Sequence, residues 1–283
     1  MSKLFFDISE IPFSRQDRLR NITLPTFLSE QLAEEIGIHI GDGFMNIYNY
    51  TNRGNFWIKY TGNYVEEEGY LKNHLQNLLK FLYNFSGSVI KSNKDNSANV
   101  TVRSKAIVSF KNKVLGLPLG NKSSISVPDI ILKSNKRILA SFTRGIADTD
   151  FSLSFKKKYR ENHYYPVMHL GCNSRILVEE LNEILWKFNI KSDTQFNEKS
   201  YDERTKKFYT KHSLYINGKD NLSKWMRTIG FNNPVHSTKF EIWKKFGFCP
   251  PKTTLQQRLK VLNDELGIDK LGRSSSVGRA PAL

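Results

Sequence analysis

Two aspartates, Asp42 and Asp150, each stand at the end of a short predicted helix in a similar run of residues. A glycine precedes each of them by five positions, Gly37 and Gly145, and the aspartates are 108 residues apart. A glycine within a helix costs about 0.5–1 kcal/mol relative to alanine, so it needs a reason, and close approach of two helix backbones is one. If Gly37 packs on Gly145, the two helices lie side by side and their aspartates meet at one point.

Two carboxylates at neighbouring helix ends repel each other and the negative ends of the helix dipoles. A divalent cation between them removes this cost, and hard oxygen ligands favour Mg²⁺ (or Mn²⁺) over zinc. Such an ion beside a phosphodiester can polarise it, activate water and stabilise the leaving oxygen. The aspartate pair therefore predicts a metal site for phosphodiester chemistry.

The elements that must position these aspartates occur twice along the chain. The first unit is predicted as helix 28–40, strands 44–50 and 56–61, helix 66–85, strands 88–91 and 99–103, and helix 105–115. The second is predicted as helix 135–148, strands 151–158 and 165–170, helix 173–188, strands 192–197 and 206–217, and helix 221–229. This order predicts an α+β fold with two tandem αββαββα repeats, a duplication of about 110 residues.

The repeats divide the chain into five predicted segments. We expect an N-terminal lead-in over 1–27, repeats over 28–127 and 128–250, a C-terminal helix within 251–271, and a tail over 272–283. The tail is rich in Gly, Ser, Ala and Pro, a composition typical of disorder.

Charge and composition limit the partners and the compartment. The 283 residues include 43 Lys and Arg against 27 Asp and Glu, a net charge of +16 that favours a polyanion, either nucleic acid or an acidic membrane. The sequence contains neither an apolar stretch of spanning length nor an evident signal peptide. Its two cysteines, Cys172 and Cys249, lack zinc-ligand spacing. We therefore expect an intracellular protein that is neither secreted nor bound in a membrane.

Alternation along the strands predicts one apolar and one polar sheet face in each repeat. The apolar face takes the amphipathic helices and leaves the polar face free. A curved antiparallel sheet of this kind can lie in a DNA major groove and contact base edges and phosphates. The predicted DNA-binding residues are Asn46, Tyr48, Tyr50, Lys59, Thr61, Asn99, Thr101, Arg103, Ser152, Ser154, Lys156, Lys158, Lys207, Tyr209 and Lys211.

The two helix ends carry a recognisable motif. The first reads Leu32-Ala33-Glu34-Glu35-Ile36-Gly37-Ile38-His39-Ile40-Gly41-Asp42-Gly43. The second reads Thr143-Arg144-Gly145-Ile146-Ala147-Asp148-Thr149-Asp150-Phe151, with Phe151 in the place of Gly43. From about residue 28 to 248 the chain resembles the LAGLIDADG homing endonucleases, in the single-chain form with two motifs.

The resemblance implies a function and further site residues. It implies a monomer with a pseudo-twofold axis, whose two sheets form a saddle over a long, poorly symmetric duplex DNA site and whose Mg²⁺-dependent centre hydrolyses one phosphodiester in each strand. The carbonyls of Gly41 and Thr149 would complete the metal coordination of Asp42 and Asp150. By the same resemblance, one lysine after the third helix of each repeat would order water and offset phosphate charge. These lysines are Lys122 in the first repeat and Lys239 in the second.

Two alternatives stay open at this point. Some relatives are maturases that bind intron RNA, and the basic charge fits RNA equally well. A DNA-binding protein of the same fold with impaired catalysis is the other alternative, although both aspartates are present. Family members also occur within inteins, but Met1 and the terminal Ala282-Leu283 offer no splicing residues. We therefore expect a free-standing reading frame.

Overall fold

The computed structural model describes residues 5–50, 53–93, 95–203 and 206–271, with the side chains of residues 49, 50 and 53 excepted. It contains two αββαββα units, each with a four-stranded antiparallel sheet, so the predicted α+β class and the duplication are confirmed. The predicted boundaries at residues 27, 127 and 250 stay predictions. The predicted disordered tail, 272–283, lies outside the described residues.

The first unit follows a short helix α1 (Arg15–Leu19). Its elements are α2 (Glu30–Gly41), β1 (Gly43–Tyr50), β2 (Arg53–Asn63), α3 (Tyr64–Gly69), a π-helical segment (Tyr70–Leu75), α4 (Gln76–Tyr83), β3 (Ser88–Lys91), β4 (Ser97–Arg103) and α5 (Lys105–Lys113). A loop and the one-turn helix α6 (Asp129–Leu132) lead to the second unit.

The second unit repeats this order and adds two helices. Its elements are α7 (Lys136–Asp150), β5 (Phe151–Lys156), β6 (Tyr165–Cys172), α8 (Arg175–Lys187), β7 (Asp193–Asp202), β8 (Lys207–Asn217), α9 (Lys219–Thr228), α10 (Pro234–Phe246), α11 (Leu255–Leu262) and a 3₁₀ turn (Ile268–Lys270). In the described part of the chain, every helix is too short or too polar to cross a membrane.

Both sheets have the same topology. The strand order is β1-β2-β4-β3 in the first sheet and β5-β6-β8-β7 in the second. Alternate residues such as Met45, Ile58 and Val100 are buried against the helices. Their neighbours along each strand point to the opposite face, because side chains alternate across a strand, and no helix layer covers that face among the described residues. We call this second surface the open face of each sheet.

The two motif helices, α2 and α7, pack side by side at the centre of the molecule. Each begins at a side-chain cap: Ser29 accepts from the Leu32 amide at 3.1 Å, and Asn135 accepts from the Arg137 amide at 2.9 Å. Every residue of α2 from Leu32 to Ile40 is buried. The pair therefore forms the joint between the repeats and directs both C-terminal ends to the same place.

The cores of the two repeats differ in chemistry. Under α2, Glu35 pairs with Lys111, both side chains being fully buried, and accepts hydrogen bonds from the hydroxyls of Tyr60 and Tyr83. The repeat-equivalent residue of Glu35 is Thr143, whose hydroxyl donates to the Leu139 carbonyl within its own helix. The first repeat therefore encloses an ionic network that the second lacks at this position.

Several predicted boundaries are wrong for local reasons. Strand 151–158 ends at Lys156, because Lys158 has a φ of +46° in a turn. Helix 66–85 is three consecutive segments, with a π-helical turn between two α-helices. Strand 192–197 continues to Asp202 past a register shift between Gln195 and Glu198. Helices α1, α6 and α10 are additional to the predicted elements.

Candidate functional site

Two glycines allow the motif helices to touch backbone to backbone. A Cβ on Gly37 would overlap the carbonyl oxygen of Phe142 and lie 3.2 Å from the Gly145 Cα. A Cβ on Gly145 would in turn overlap the carbonyl oxygen of Glu34. Phe142 and Glu34 each precede the opposing glycine by three residues, so the contact is reciprocal, as a pseudo-twofold axis requires.

The same pairing brings the C-terminal ends of the helices together. A Cβ on Gly41 would overlap the Thr149 hydroxyl and lie 3.4 Å from the carboxyl carbon of Asp150. Asp42 is the C-cap residue of α2 and follows Gly41 directly. The structure therefore places both predicted carboxylates at one helix junction.

Burial makes both carboxylates costly to ionise, and the Asp150 charge adds to this cost for Asp42. Burial first, then the charges of Asp150 and Glu67, raise the pKa of Asp42 well above its usual range, while Lys122 opposes the rise. Burial raises the pKa of Asp150 from 3.8 to about 6, again against the effect of Lys122. Two raised carboxyl pKa values at one point indicate a site that gains from binding a cation.

Lys122 lies at the end of α2 and contacts its last carbonyls. Its Nζ donates to the carbonyl oxygens of Gly41 at 2.5 Å, Ile40 at 2.8 Å and His39 at 3.3 Å. Its loop is attached to β1 by the Gly120 amide, which donates to the Met45 carbonyl at 2.8 Å. Burial lowers the pKa of Lys122, although both aspartates raise it. Lys122 is thus the cation that partly balances the carboxylate pair.

Lys239 lies apart from that junction. It belongs to α10, and its Nζ donates to the Leu153 carbonyl on β5 at 3.1 Å. Burial and the Arg258 charge lower its pKa, and neither Asp42 nor Asp150 is among the groups that shift it. Among the described residues, the structure gives Lys122 but not Lys239 a link to the aspartates.

The end of α7 is held by an asparagine instead of a lysine. The Asn233 amide group donates to the Asp148 carbonyl at 2.8 Å and to Glu67 of the first repeat at 2.7 Å. Its backbone amide donates to the Asp148 carboxylate at 3.0 Å. Asn233 is fully buried and also caps α10, where Pro234 follows at the first helical position. The two ends of the pseudo-symmetric pair are therefore fixed by different chemistry.

The residue that follows the aspartate also differs between the two motifs, and packing explains each of the two residues. A Cβ on Gly43 would lie 2.5 Å from the His39 carbonyl oxygen and 2.6 Å from its Cα, so the first motif requires glycine here. Phe151 has extended backbone, and its ring is buried with a centroid 5.7 Å from that of Trp225. The departure at Phe151 changes the core beneath the strand.

The donors at the junction suit a hard divalent cation. A cavity of about 460 Å³ lies beside it, lined by Gly41, Lys122, Asp150, Cys172 and Tyr209 among others. In the described residues, no group of three or more His, Cys, Asp or Glu side chains could hold a metal by itself. Two carboxylates need further oxygens from backbone carbonyls, water or a substrate phosphate, which is the ligand set Mg²⁺ prefers.

Comparisons with known proteins identify the fold. No family model matches the sequence. The homing endonuclease I-DmoI bound to DNA and Ca superposes with a TM-score of 0.52 and 18% identity, over 76% of this chain and 98% of that one. I-DmoI with DNA and Mn gives 0.50 and 18%, over 72% and 97%. The chain has the fold of the single-chain LAGLIDADG homing endonucleases.

One curated protein also shares sequence with the chain. The probable translation initiation factor IF-2 of Methanocaldococcus jannaschii is 28% identical over 159 residues. The match covers 55% of this chain and 13% of that protein, so the chain spans a small part of this relative.

Within this LAGLIDADG fold, the first open face collects most of the predicted DNA-binding side chains of its repeat. The register pairs Lys59 with Thr101 and Thr61 with Asn99, and the Thr61 hydroxyl donates to Asn99 at 2.8 Å. By the same pairing, the open face carries Asn46, Tyr48, Lys59, Thr61, Asn99, Thr101 and Arg103. The side chain of the remaining predicted residue, Tyr50, lies outside the described residues.

The second open face collects six of the seven residues predicted for its repeat. They are Ser152, Ser154, Lys156, Lys207, Tyr209 and Lys211. Lys211 lies 4.0 Å from Glu198, so its charge is partly balanced. Lys158 lies beyond the strand, with its Nζ 3.9 Å from the centre of the Tyr165 ring.

Sequence reasoning missed several residues of the site and its faces. Trp57 lies on the first open face and stacks on Tyr48 with centroids 5.8 Å apart, a position that strand parity could have revealed. His169 stacks on Tyr215 at 4.6 Å on the second. Glu67 and Asn233 were missed because only tertiary packing brings them to the helix ends; the Asn-Pro pair at 233–234 signalled the helix start alone.

Proposed function

We propose that this protein is a site-specific endonuclease that cuts both strands of duplex DNA by divalent-metal-dependent phosphodiester hydrolysis. The observation that carries the proposal is the meeting of the α2 and α7 ends, which places Asp42 and Asp150 at one junction. This junction lies where β1 and β5 begin, so it adjoins both open faces.

The residues of the junction have distinct roles in this proposal. Asp42 and Asp150 would hold Mg²⁺ or Mn²⁺, with the carbonyls of Gly41 and Thr149 as further oxygen ligands. When bound, such an ion supplies Lewis acidity and an activated water. Lys122 offsets phosphate charge and keeps the end of α2 in place through its hydrogen bonds to the last carbonyls. Lys239 stays a candidate only by resemblance, as its contacts lie on β5.

The open faces would hold the duplex. Their lysines, arginine, hydroxyls and amides can contact phosphates and base edges in the major groove. The net charge of +16 favours association with a polyanion. Support also comes from I-DmoI, which has this fold and is described in complex with DNA and Ca or Mn. Both motif helices belong to one chain, so a monomer supplies both carboxylates.

The test is selection of cleaved sites from a random or genomic duplex library in Mg²⁺, followed by the same assay on Asp42→Asn. We expect the variant to keep DNA binding and to lose cutting. Asp129→Asn, an exposed surface change, is the matched control and should cut like the wild type. Unchanged cutting by Asp42→Asn would remove the assignment of the site.

Binding assays with RNA and duplex DNA, run beside the cleavage assay, separate the two alternatives. Tight binding to intron RNA without duplex cleavage would indicate an RNA-binding maturase. Specific duplex binding without cleavage by the wild type in Mg²⁺ or Mn²⁺ would indicate a DNA-binding protein. Affinity for the duplex should fall steeply with salt, because each phosphate contact releases a counterion.

A further inference from the structure

A second cavity lies at the outer end of the second repeat, away from the motif helices. It has a volume of about 620 Å³ and lies between the turn after β5, the start of α9 and the end of α10. Six of its lining residues define what we call the aromatic–basic pocket: Arg160, Tyr164, Tyr165, Lys219, Trp243 and Lys244.

The cations of this pocket lack acidic partners. Arg160, Lys219 and Lys244 are exposed, and none forms an ion pair with a carboxylate in the part of the chain that the structure describes. Arg160 lies over the Tyr164 ring at 4.8 Å from its centre. The Nζ of Lys158 lies 3.9 Å from the centre of the Tyr165 ring. The pocket thus presents unbalanced positive charge held above aromatic rings.

The Trp243 ring of the pocket is held in place by contacts with the protein core. The Trp243 indole donates to the Tyr164 carbonyl at 2.7 Å, and its ring stacks on Phe155 with centroids 5.8 Å apart. Phe155 is buried on the helix side of β5, so Trp243 also lies on that side. Tyr165 pairs with Lys156 and therefore belongs to the open face, so the pocket lies at the end of β6 between the two sides of the sheet.

We propose that the aromatic–basic pocket binds an unpaired nucleotide of a single-stranded nucleic acid. Aromatic rings stack on bases regardless of sequence, and neighbouring unpaired cations bind the phosphates on either side. A cavity of this volume accepts a nucleotide, whereas a duplex is too wide to enter it. This site is additional to duplex cleavage and does not depend on it.

The test measures binding of labelled single-stranded RNA and single-stranded DNA of mixed sequence by fluorescence anisotropy, with the full chain. Arg160→Ala combined with Lys244→Ala should weaken single-strand binding by about tenfold or more. It should also reduce the salt slope by about 1.4, since about 0.7 is lost per phosphate contact on a single strand. Duplex binding and cleavage should stay as in the wild type.

The matched control removes two exposed lysines from the helix layer, Lys80→Ala with Lys187→Ala, and should leave single-strand affinity unchanged. Quenching of tryptophan fluorescence by the strand should shrink in Trp243→Phe, which reports stacking separately from charge. Thermal melts check that each variant is folded. A preference for RNA and a preference for DNA would each support the proposed pocket, and the preference would show which kind of strand it binds.

Three results would overturn the inference. The first is that Arg160→Ala/Lys244→Ala binds single strands as tightly as the wild type. The second is that the control variant loses as much single-strand affinity as this variant does. The third is that a duplex competes completely with the single strand, which would show that single strands bind on the open faces. If the wild type binds single strands but does not cleave duplex DNA, only the nuclease proposal is refuted. The two proposals can therefore fail separately.

Discussion

Replacing Asp150 by asparagine should stabilise the metal-free protein near neutral pH. Burial raises the pKa of Asp150 from 3.8 to about 6, so the folded state retains a proton that the unfolded chain releases between these values. The folded state then binds more protons than the unfolded state, and stability falls as pH rises through this window. Above pH 6 the loss reaches about 3 kcal/mol, at about 1.4 kcal/mol per pH unit of difference.

Asparagine removes this cost because it carries no charge. The variant should be more stable than the wild type by up to about 3 kcal/mol at pH 8, and by much less at pH 4, because this pH is close to the unfolded-state pKa of 3.8 and the unfolded chain has released only part of the proton there. Asp42 adds to the gain, since the Asp150 charge is one cause of its own raised pKa. For a chain of this size the gain corresponds to a rise in Tm of about 6 °C.

The assay is urea unfolding in EDTA at pH 4 and pH 8. Asp129→Asn, at an exposed residue, should change stability by no more than about 0.5 kcal/mol at either pH. Added Ca²⁺ should stabilise the wild type more than Asp150→Asn, since the variant lacks one carboxylate. A variant that is no more stable than the wild type at pH 8 in EDTA would refute the argument that burial of the Asp150 charge destabilises the metal-free protein.

Three further substitutions test the frame around the junction. Gly37→Ala should lower the free energy of unfolding by about 1–3 kcal/mol, because its Cβ overlaps the facing helix, whereas Gly69→Ala, with 3.9 Å to its nearest atom, should be neutral or stabilising in the same urea titration. Lys111→Met should cost about 3–5 kcal/mol, as it leaves the Glu35 carboxylate buried without its partner; a thermal melt equal to that of the wild type would contradict this. Lys122→Met should move the acidic limb of the cleavage pH profile to higher pH, because Lys122 lowers the pKa of both aspartates. An unmoved limb would show that those carboxylates do not control the rate.

The repeat order and the strand faces could be predicted because they depend on local patterns. Alternation along β1 and β5 determined which side chains share a face, and the observed register agrees for all but two of the proposed DNA contacts. Those two are Tyr50, whose side chain is not described, and Lys158, whose positive φ ends the strand earlier. Strand ends are decided by turn geometry, which alternation does not report.

The amino-acid sequence is enough to predict the duplicated αββαββα order, the two aspartates and the glycines that allow their helices to meet. These features recur at one spacing, and each rests on backbone or periodicity rules that act within a few residues. The contacts of Lys122 with the end of α2, the contacts of Asn233 with α7, and the position of Lys239 away from the junction became visible in the folded chain alone. Contacts between residues far apart in the chain depend on how loops and helices pack, and no local pattern encodes them.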